Sequence, residues 1–175
     1  AGENRVMPHV HLSLQSGNDL VLKRMKRRHS RRDAVELVGK LRARRPDIAL
    51  GADLIAGFPT ENEAAHAGNL SIIRELGVVH GHVFPYSPRP ATPAARMPQV
   101  DRATIKRRAA ELRAEVAETR KVWLGALVGQ PLQVLAERDG TGHAENFARV
   151  QLPAGTVAGS VLGITPRRIV EGLLA

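Results

Sequence analysis

PHVHLSLQSG, residues Pro8 to Gly17, decides how the rest of the chain is read. With a period of two, Val10, Leu12 and Leu14 fall on one face of a strand, and His9, His11, Ser13 and Gln15 fall on the other. That second face is too polar for an ordinary hydrophobic core. Two later stretches repeat the theme: IALGADLIAG (Ile48 to Gly57) and VVHGHVFPY (Val78 to Tyr86), each preceded by a helical segment. Strand, helix, strand, helix, strand is the cadence of a parallel sheet, and such sheets place ligands beyond the carboxyl ends of their strands. Those ends read Gln15-Ser16-Gly17, Gly57-Phe58-Pro59-Thr60 and Tyr86-Ser87-Pro88.

Between the strands the helical signals are local. Asn18 to Met25 reads as a short helix with Leu20, Val21 and Met25 as apolar contacts. Ser30, three residues before Asp33, caps the next helix, in which Ala34, Leu37, Val38 and Leu41 make one buried stripe that Pro46 ends. A third helix starts near Glu61, capped by Thr60 or Asn62, and runs through Leu70, Ile72, Ile73 and Leu76 to Gly77, leaving backbone donors at the strand ends. Asp53 lies inside the second strand, where a carboxylate is costly unless bonded; a structural bond and a ligand contact are both open. Gly57-Phe58-Pro59-Thr60-Glu61 lacks the glycine loop and the Lys-Ser/Thr pair of a P-loop. His9, His11, His80 and His82 raise the question of a metal, but strand-spaced histidines line polar interiors and no matching carboxylate set is visible, so no metal is assigned. Ser87 to Pro93 is a proline-stiffened loop that suits either a ligand rim or an ordinary crossover.

Charge is concentrated. Eleven Lys or Arg between Lys23 and Arg45 face two acids, Asp33 and Glu36, a balance of +9 that equals the formal charge of the whole chain. The run is either a solvated helix surface or a strip for phosphates, with Arg27, Arg28, Arg31 and Arg32 as the arginines able to grip oxygens with two donors. From Asp101 to about Trp123 one long charged helix is expected, with Ile105, Ala109, Leu112, Val116 and Ala117 as its contacts. After it the composition becomes neutral: residues 124–175 hold four Lys or Arg and four Asp or Glu. Short runs separated by glycine turns (Pro131 to Glu137, Phe147 to Leu152, Gly159 to Ile164, Ile169 to Leu174) predict a small antiparallel β-barrel or sheet. The expected division is residues 1–124 and residues 125–175.

At 175 residues the chain can bury a real core as one domain or as one medium and one small domain. Without cysteine it holds neither disulfides nor a thiolate-ligated metal centre of its own. No apolar run approaches the ~20 residues needed to cross a bilayer, and Ala1 to Asn4 have no signal-peptide character. A cytoplasmic protein with a polyanionic partner and no membrane is expected. The chain opens almost directly into a strand whose polar face already suits a mature site, so a piece of a longer polypeptide is expected.

PHVHLSLQSGNDLVLKRMKRRHSR, DLIAGFPTENE, HVFPYSPRPATPAARMP and GHAENFARV, in that order, resemble the carboxyl-terminal half of radical SAM tRNA methylthiotransferases, and most closely the type acting on threonylcarbamoyladenosine. The resemblance covers nearly the whole chain. It implies an α/β fold: a partial radical SAM (β/α) barrel followed by a small antiparallel β-barrel of the RNA-binding kind called TRAM. It implies S-adenosylmethionine as cofactor, 4Fe-4S clusters ligated elsewhere in the full-length enzyme, and addition of a methylthio group at C2 of a hypermodified adenosine. The partners it implies are a tRNA anticodon stem-loop and the missing amino-terminal part of the same polypeptide. Ser13, Gln15, Ser16, Asp53, Gly57, Phe58 and Pro59 would shape the cofactor side of the barrel mouth. Tyr86, Ser87 and Arg89 would form its rim, and Asn146, Phe147 and Arg149, with Arg89 and the four arginines of the basic run, would meet RNA. Three positions depart from the family pattern: Thr60 stands where Gly is usual, Asn62 where Thr is usual, and Ala91 where Gly is usual. Lacking thiolates, the chain alone is expected to be inactive; the alternative is a noncatalytic RNA-binding or structural module.

Overall fold

The computed structural model describes residue 3 and residues 5–175; Ala1, Gly2 and Asn4, part of the stretch read for signal-peptide character, lie outside the described residues. Three strands alternate with helices: β1 (His9–Gln15), α1 (Asp19–Arg24), α2 (Arg31–Arg44), β2 (Ala49–Ala56), α3 (Glu63–Leu76) and β3 (Val78–Pro85). They form one parallel sheet in the order β1-β2-β3. After a single 3-10 turn at Pro93–Arg96 comes α4 (Arg102–Leu127).

The outer face of the sheet carries the apolar half of the alternation. Leu14, Leu50, Ala52, Leu54 and Val83 meet Val38 of α2, Ile72, Ile73 and Leu76 of α3, and Ala109, Leu112 and Val116 of α4 in one core. Each large side chain taken out of water there contributes about 1.5–3 kcal/mol before its entropy cost. Side chains cap the helix starts, Asn62 rather than Thr60 serving the third. Ser30 and Asp33 form a reciprocal capping box, Asn62 accepts from the Ala65 amide, and Asp101 accepts from the Thr104 amide. Gly77 ends α3 in the left-handed conformation.

The helix faces differ from the expected stripes in detail. In α1 it is Leu22, not Leu20, that joins Val21 in the interior, because Leu20 lies on the outer side of this short helix. In α2, Ala34 and Val38 are buried whereas Leu37 is exposed, and in α4 Ala117 is exposed. Arg108 occupies the buried stripe of α4 instead.

The rest of the chain forms β4 (Leu132–Ala136), β5 (Thr141–Ala144), β6 (Arg149–Gln151), β7 (Val161–Ile164), β8 (Ile169–Val170) and β9 (Leu173–Leu174). One six-stranded sheet in the order β7-β4-β5-β6-β9-β8 contains them all. The expected antiparallel sheet is corrected to a mixed one, because β6 and β9 pair in parallel through Val150 and Leu174. Among the described residues neither sheet closes into a barrel. A separate core holds this part together: Val134, Ala136, Ala144, Ala148, Val150, Leu152 and Leu174 pack with Leu124, Trp123 and Leu127. The long helix thus runs past its expected end at Trp123 and inserts its last turn into the second core.

Candidate functional site

The inner face of the parallel sheet carries the polar half of the alternation, in tiers. Lowest are His9 and His80, ring centroids 5.3 Å apart, with Phe147 on His9 at 4.5 Å and Trp123 on His80 at 5.3 Å. This aromatic cluster joins the second sheet and the end of α4 to the amino-terminal ends of the strands. Burial, followed by the charge of Arg120 and the neighbouring His9, pulls the His80 pKa down to about 4, so this ring is neutral at physiological pH.

One tier up, Asp53 accepts from His11 (Nε2 to Oδ1, 2.9 Å) and from His82 (Nδ1 to Oδ1, 3.3 Å). Parallel register makes this possible: Asp53 stands opposite His82, and His11 stands opposite Gly51. A Cβ at Gly51 would collide with Nδ1 of His11, so glycine there lets the ring lie across the sheet toward Asp53.

Above Asp53 opens a cavity of about 460 Å³. Gln15, Asp53, Tyr86, Ser87, Arg89 and Thr92 supply its polar groups, and Ile55, Phe84, Pro85 and Ala94 its apolar wall. This is the crevice expected beyond the carboxyl ends of the strands. Gln15 reaches it because the β1–β2 register breaks between Leu12 and Gln15 and the Gln15 backbone turns to φ +67°. The same break leaves Ser13 out: it lines a groove against α2 with Leu12, His29 and Leu37. Tyr86 lines the cavity, and its hydroxyl is buried without a hydrogen-bond partner among the described residues.

The other expected cofactor residues act behind the cavity. Ser16 donates to Asn69 Oδ1 (2.8 Å), which also accepts from the Gly17 amide (2.7 Å). Asn69 donates to Glu61 (3.0 Å), and Glu61 accepts from the Gly57 amide (3.1 Å) and from Arg108 (3.1 Å). One buried network therefore ties the ends of β1 and β2 to α3 and α4. Burial pushes the Glu61 carboxyl up from the ordinary range, against the Gly57 amide and Arg108, which pull it down. Gly57 takes φ +73° and has Ile105 where a Cβ would stand, a second reason for glycine. Phe58 and Pro59 are buried, with Phe58 edge-on to Tyr86 at 5.3 Å. The sequence reading missed Glu61, Asn69 and Arg108. Only Arg108 carried a signal, as a charge within the apolar stripe from Ile105 to Leu112.

The basic run divides by burial. Arg31 donates to the Gly17 and Gly68 carbonyls and pairs with Glu75; Arg24 bonds Thr60, and Arg42 the Leu76 carbonyl. These cations brace the loops. Arg27 and Arg28 are exposed at the turn between α1 and α2, and Arg32, largely exposed, pairs with Glu36 at 3.5 Å. Arg89 is exposed at the cavity rim. On the second sheet, Asn146 is buried and accepts from the Ala148 amide, Phe147 lies against His9, and Arg149 bonds Thr141 and Asp139.

Comparison with known proteins places this geometry. The Radical SAM superfamily model matches residues 1–67. The chain is 42% identical over 174 residues to the threonylcarbamoyladenosine tRNA methylthiotransferase of Rickettsia prowazekii, covering 99% of this chain and 41% of that protein. It is 40% identical over 138 residues to the tRNA-2-methylthio-N(6)-dimethylallyladenosine synthase of Paracoccus denitrificans, covering 79% of this chain and 31% of that protein. With the synthase of the same name from Roseobacter denitrificans it shares 35% identity over 173 residues, 95% of this chain and 39% of that protein. The chain thus spans less than half the length of these relatives. With 42% identity along nearly its whole sequence, the chain is homologous to part of the radical SAM tRNA methylthiotransferases.

Proposed function

We propose that this chain is the part of a tRNA methylthiotransferase that holds S-adenosylmethionine and positions an anticodon stem-loop for addition of a methylthio group at C2 of a hypermodified adenosine. The observation that carries the reading is the 42% identity over 174 residues with a threonylcarbamoyladenosine tRNA methylthiotransferase. In this reading β1–β3 and their helices are the carboxyl-terminal half of a (β/α) barrel, and residues 125–175 are a TRAM-like β-domain. The division follows the two hydrophobic cores, with α4 crossing between them. The protein works in the cytoplasm, where its tRNA partner is found.

The cavity suits the cofactor chemically. S-adenosylmethionine presents an adenine ring, ribose hydroxyls and an aminocarboxylate; the cavity offers apolar walls, a glutamine amide, a serine hydroxyl, a carboxylate and a guanidinium. Gln15, Tyr86 and Ser87 would hold the polar edges of the cofactor, and Arg89 would meet its carboxylate or an RNA phosphate. When bound, the cofactor supplies the radical and methyl chemistry. The chain's own residues bind, orient and exclude water: the Glu61 network fixes the Gly57-Phe58-Pro59 turn, and Phe58 backs Tyr86 from behind the cavity. Iron-sulfur clusters do not fit this chain, which has no thiolates to ligate them. The exposed Arg27, Arg28 and Arg32 would contact phosphates.

Nucleoside mass spectrometry tests the assignment. In cells whose reading frame for this polypeptide is disrupted, tRNA is expected to lose a 2-methylthio-adenosine derivative and to accumulate its unthiolated precursor; an unchanged nucleoside profile rejects it.

A further inference from the structure

We propose that His11, Asp53 and His82 form a binding site for a divalent first-row transition cation of the Zn²⁺ class on the inner face of the sheet. One imidazole nitrogen from β1, one carboxylate oxygen from β2 and one imidazole nitrogen from β3 lie within 4.8 Å of one another. Ligand atoms about a zinc ion with bonds of ~2.0 Å are ~3.3 Å apart at tetrahedral angles. The separations of 2.9 Å from His11 Nε2 to Asp53 and 3.3 Å from His82 Nδ1 to Asp53 lie at or just below that spacing, and the two ring nitrogens are within 4.8 Å of each other, so modest side-chain adjustment exchanges the shared protons for a cation.

Three further features favour the site. Gly51 clears the space that the His11 ring occupies, so the ring's reach toward Asp53 is built into the strand below it. The His11 and His82 rings lie 4.7 Å apart at 35°, both beside the same carboxylate. Asp53 also lines the cavity above, so a three-ligand cation would keep open coordination positions toward the space where ligand is expected. Two nitrogens and one oxygen suit zinc, cobalt or ferrous iron better than magnesium or calcium. The cation would be distinct from any thiolate-held cluster, since every ligand comes from this chain and none is cysteine.

The chain, stripped with a chelator and dialysed, is titrated with Co²⁺ and with Zn²⁺, following the cobalt d–d bands and the heat of zinc binding. One equivalent should bind with micromolar or tighter affinity, and zinc should displace cobalt. His82→Ala and Asp53→Asn should each weaken binding by more than the ~10–100-fold typical of losing an outer partner of a ligand. His143→Ala, on the second sheet, should not change it. The His82 side chain is 64% exposed, so its loss should leave the circular dichroism and melting curve of the metal-free chain unaltered. Absence of a one-equivalent site in the unsubstituted chain overturns the proposal, and so does binding unchanged by both substitutions.

Discussion

Three residues hold positive φ without being glycine at the loops that frame the cavity: Gln15 at +67°, Thr60 at +71° and Ala91 at +65°. Two of them, Thr60 and Ala91, are the positions where the family resemblance led one to expect glycine, so the departures fall where the backbone asks for it. A left-handed residue with a Cβ costs about 1–2 kcal/mol. Ala91→Gly is therefore expected to raise stability by about 1 kcal/mol in a urea titration, offset partly by glycine's greater freedom in the unfolded chain. Thr60→Gly should gain less, because it also removes the hydroxyl that Arg24 bonds. The Glu61–Arg108 pair acts in the opposite sense. Both side chains are buried, so Glu61→Gln leaves a guanidinium facing an amide and should cost about 3 kcal/mol in the same titration. Only part of this was legible residue by residue: Thr60 and Ala91 stood out as departures from glycine and Asp53 as a costly carboxylate, but its partners His11 and His82 depend on a register that no local pattern sets.

Among the elements, the parallel strands and their helices were legible because apolar residues recur at periods of two and of three to four, and because Ser30 and Asn62 cap where they stand. The misses share a cause. β5, Thr141-Gly142-His143-Ala144, has no run of large apolar residues; it is a strand because β4 and β6 flank it. The continuation of α4 to Leu127 follows from Leu124 and Leu127 finding the second core, a tertiary contact. The caps also give a pH dependence. Hydrogen bonds from the Ser30 amide and hydroxyl hold the Asp33 carboxyl below its ordinary 3.8, and bonds from Thr104 do the same for Asp101. A depressed carboxyl contributes stability that is present above 3.8 and is lost as pH falls through the lower folded-state value. Asp101→Ala should lower the melting temperature at neutral pH by ~3 °C, and the gap from the unsubstituted chain should shrink between pH 4 and pH 2.

At the scale of the whole molecule, charge and cavity lie on different elements with different tasks. Burial separates cations that brace loops, Arg24, Arg31 and Arg42, from exposed ones, Arg27, Arg28 and Arg32, the last beside Glu36. Composition showed the excess of charge but not this division. Replacing Arg27, Arg28 and Arg32 with glutamine should weaken tRNA binding and reduce the slope of log affinity against log salt by about 2–3, the number of phosphate contacts removed; fluorescence anisotropy across a salt series reads both. Arg31→Gln, by contrast, should lower stability, since it unties the Gly17 and Gly68 carbonyls from α2.

The central claim is that the strand ends form the cofactor and tRNA site. Its most direct test is complementation: the disrupted reading frame is restored with the full polypeptide carrying Gln15→Ala, Arg89→Ala or neither, and the 2-methylthio content of tRNA is measured at matched soluble protein. Arg89 is exposed, so its loss should not disturb folding. The account predicts that the unsubstituted polypeptide restores the methylthio group and that both substituted forms fall at least tenfold short. Full restoration by both would contradict it.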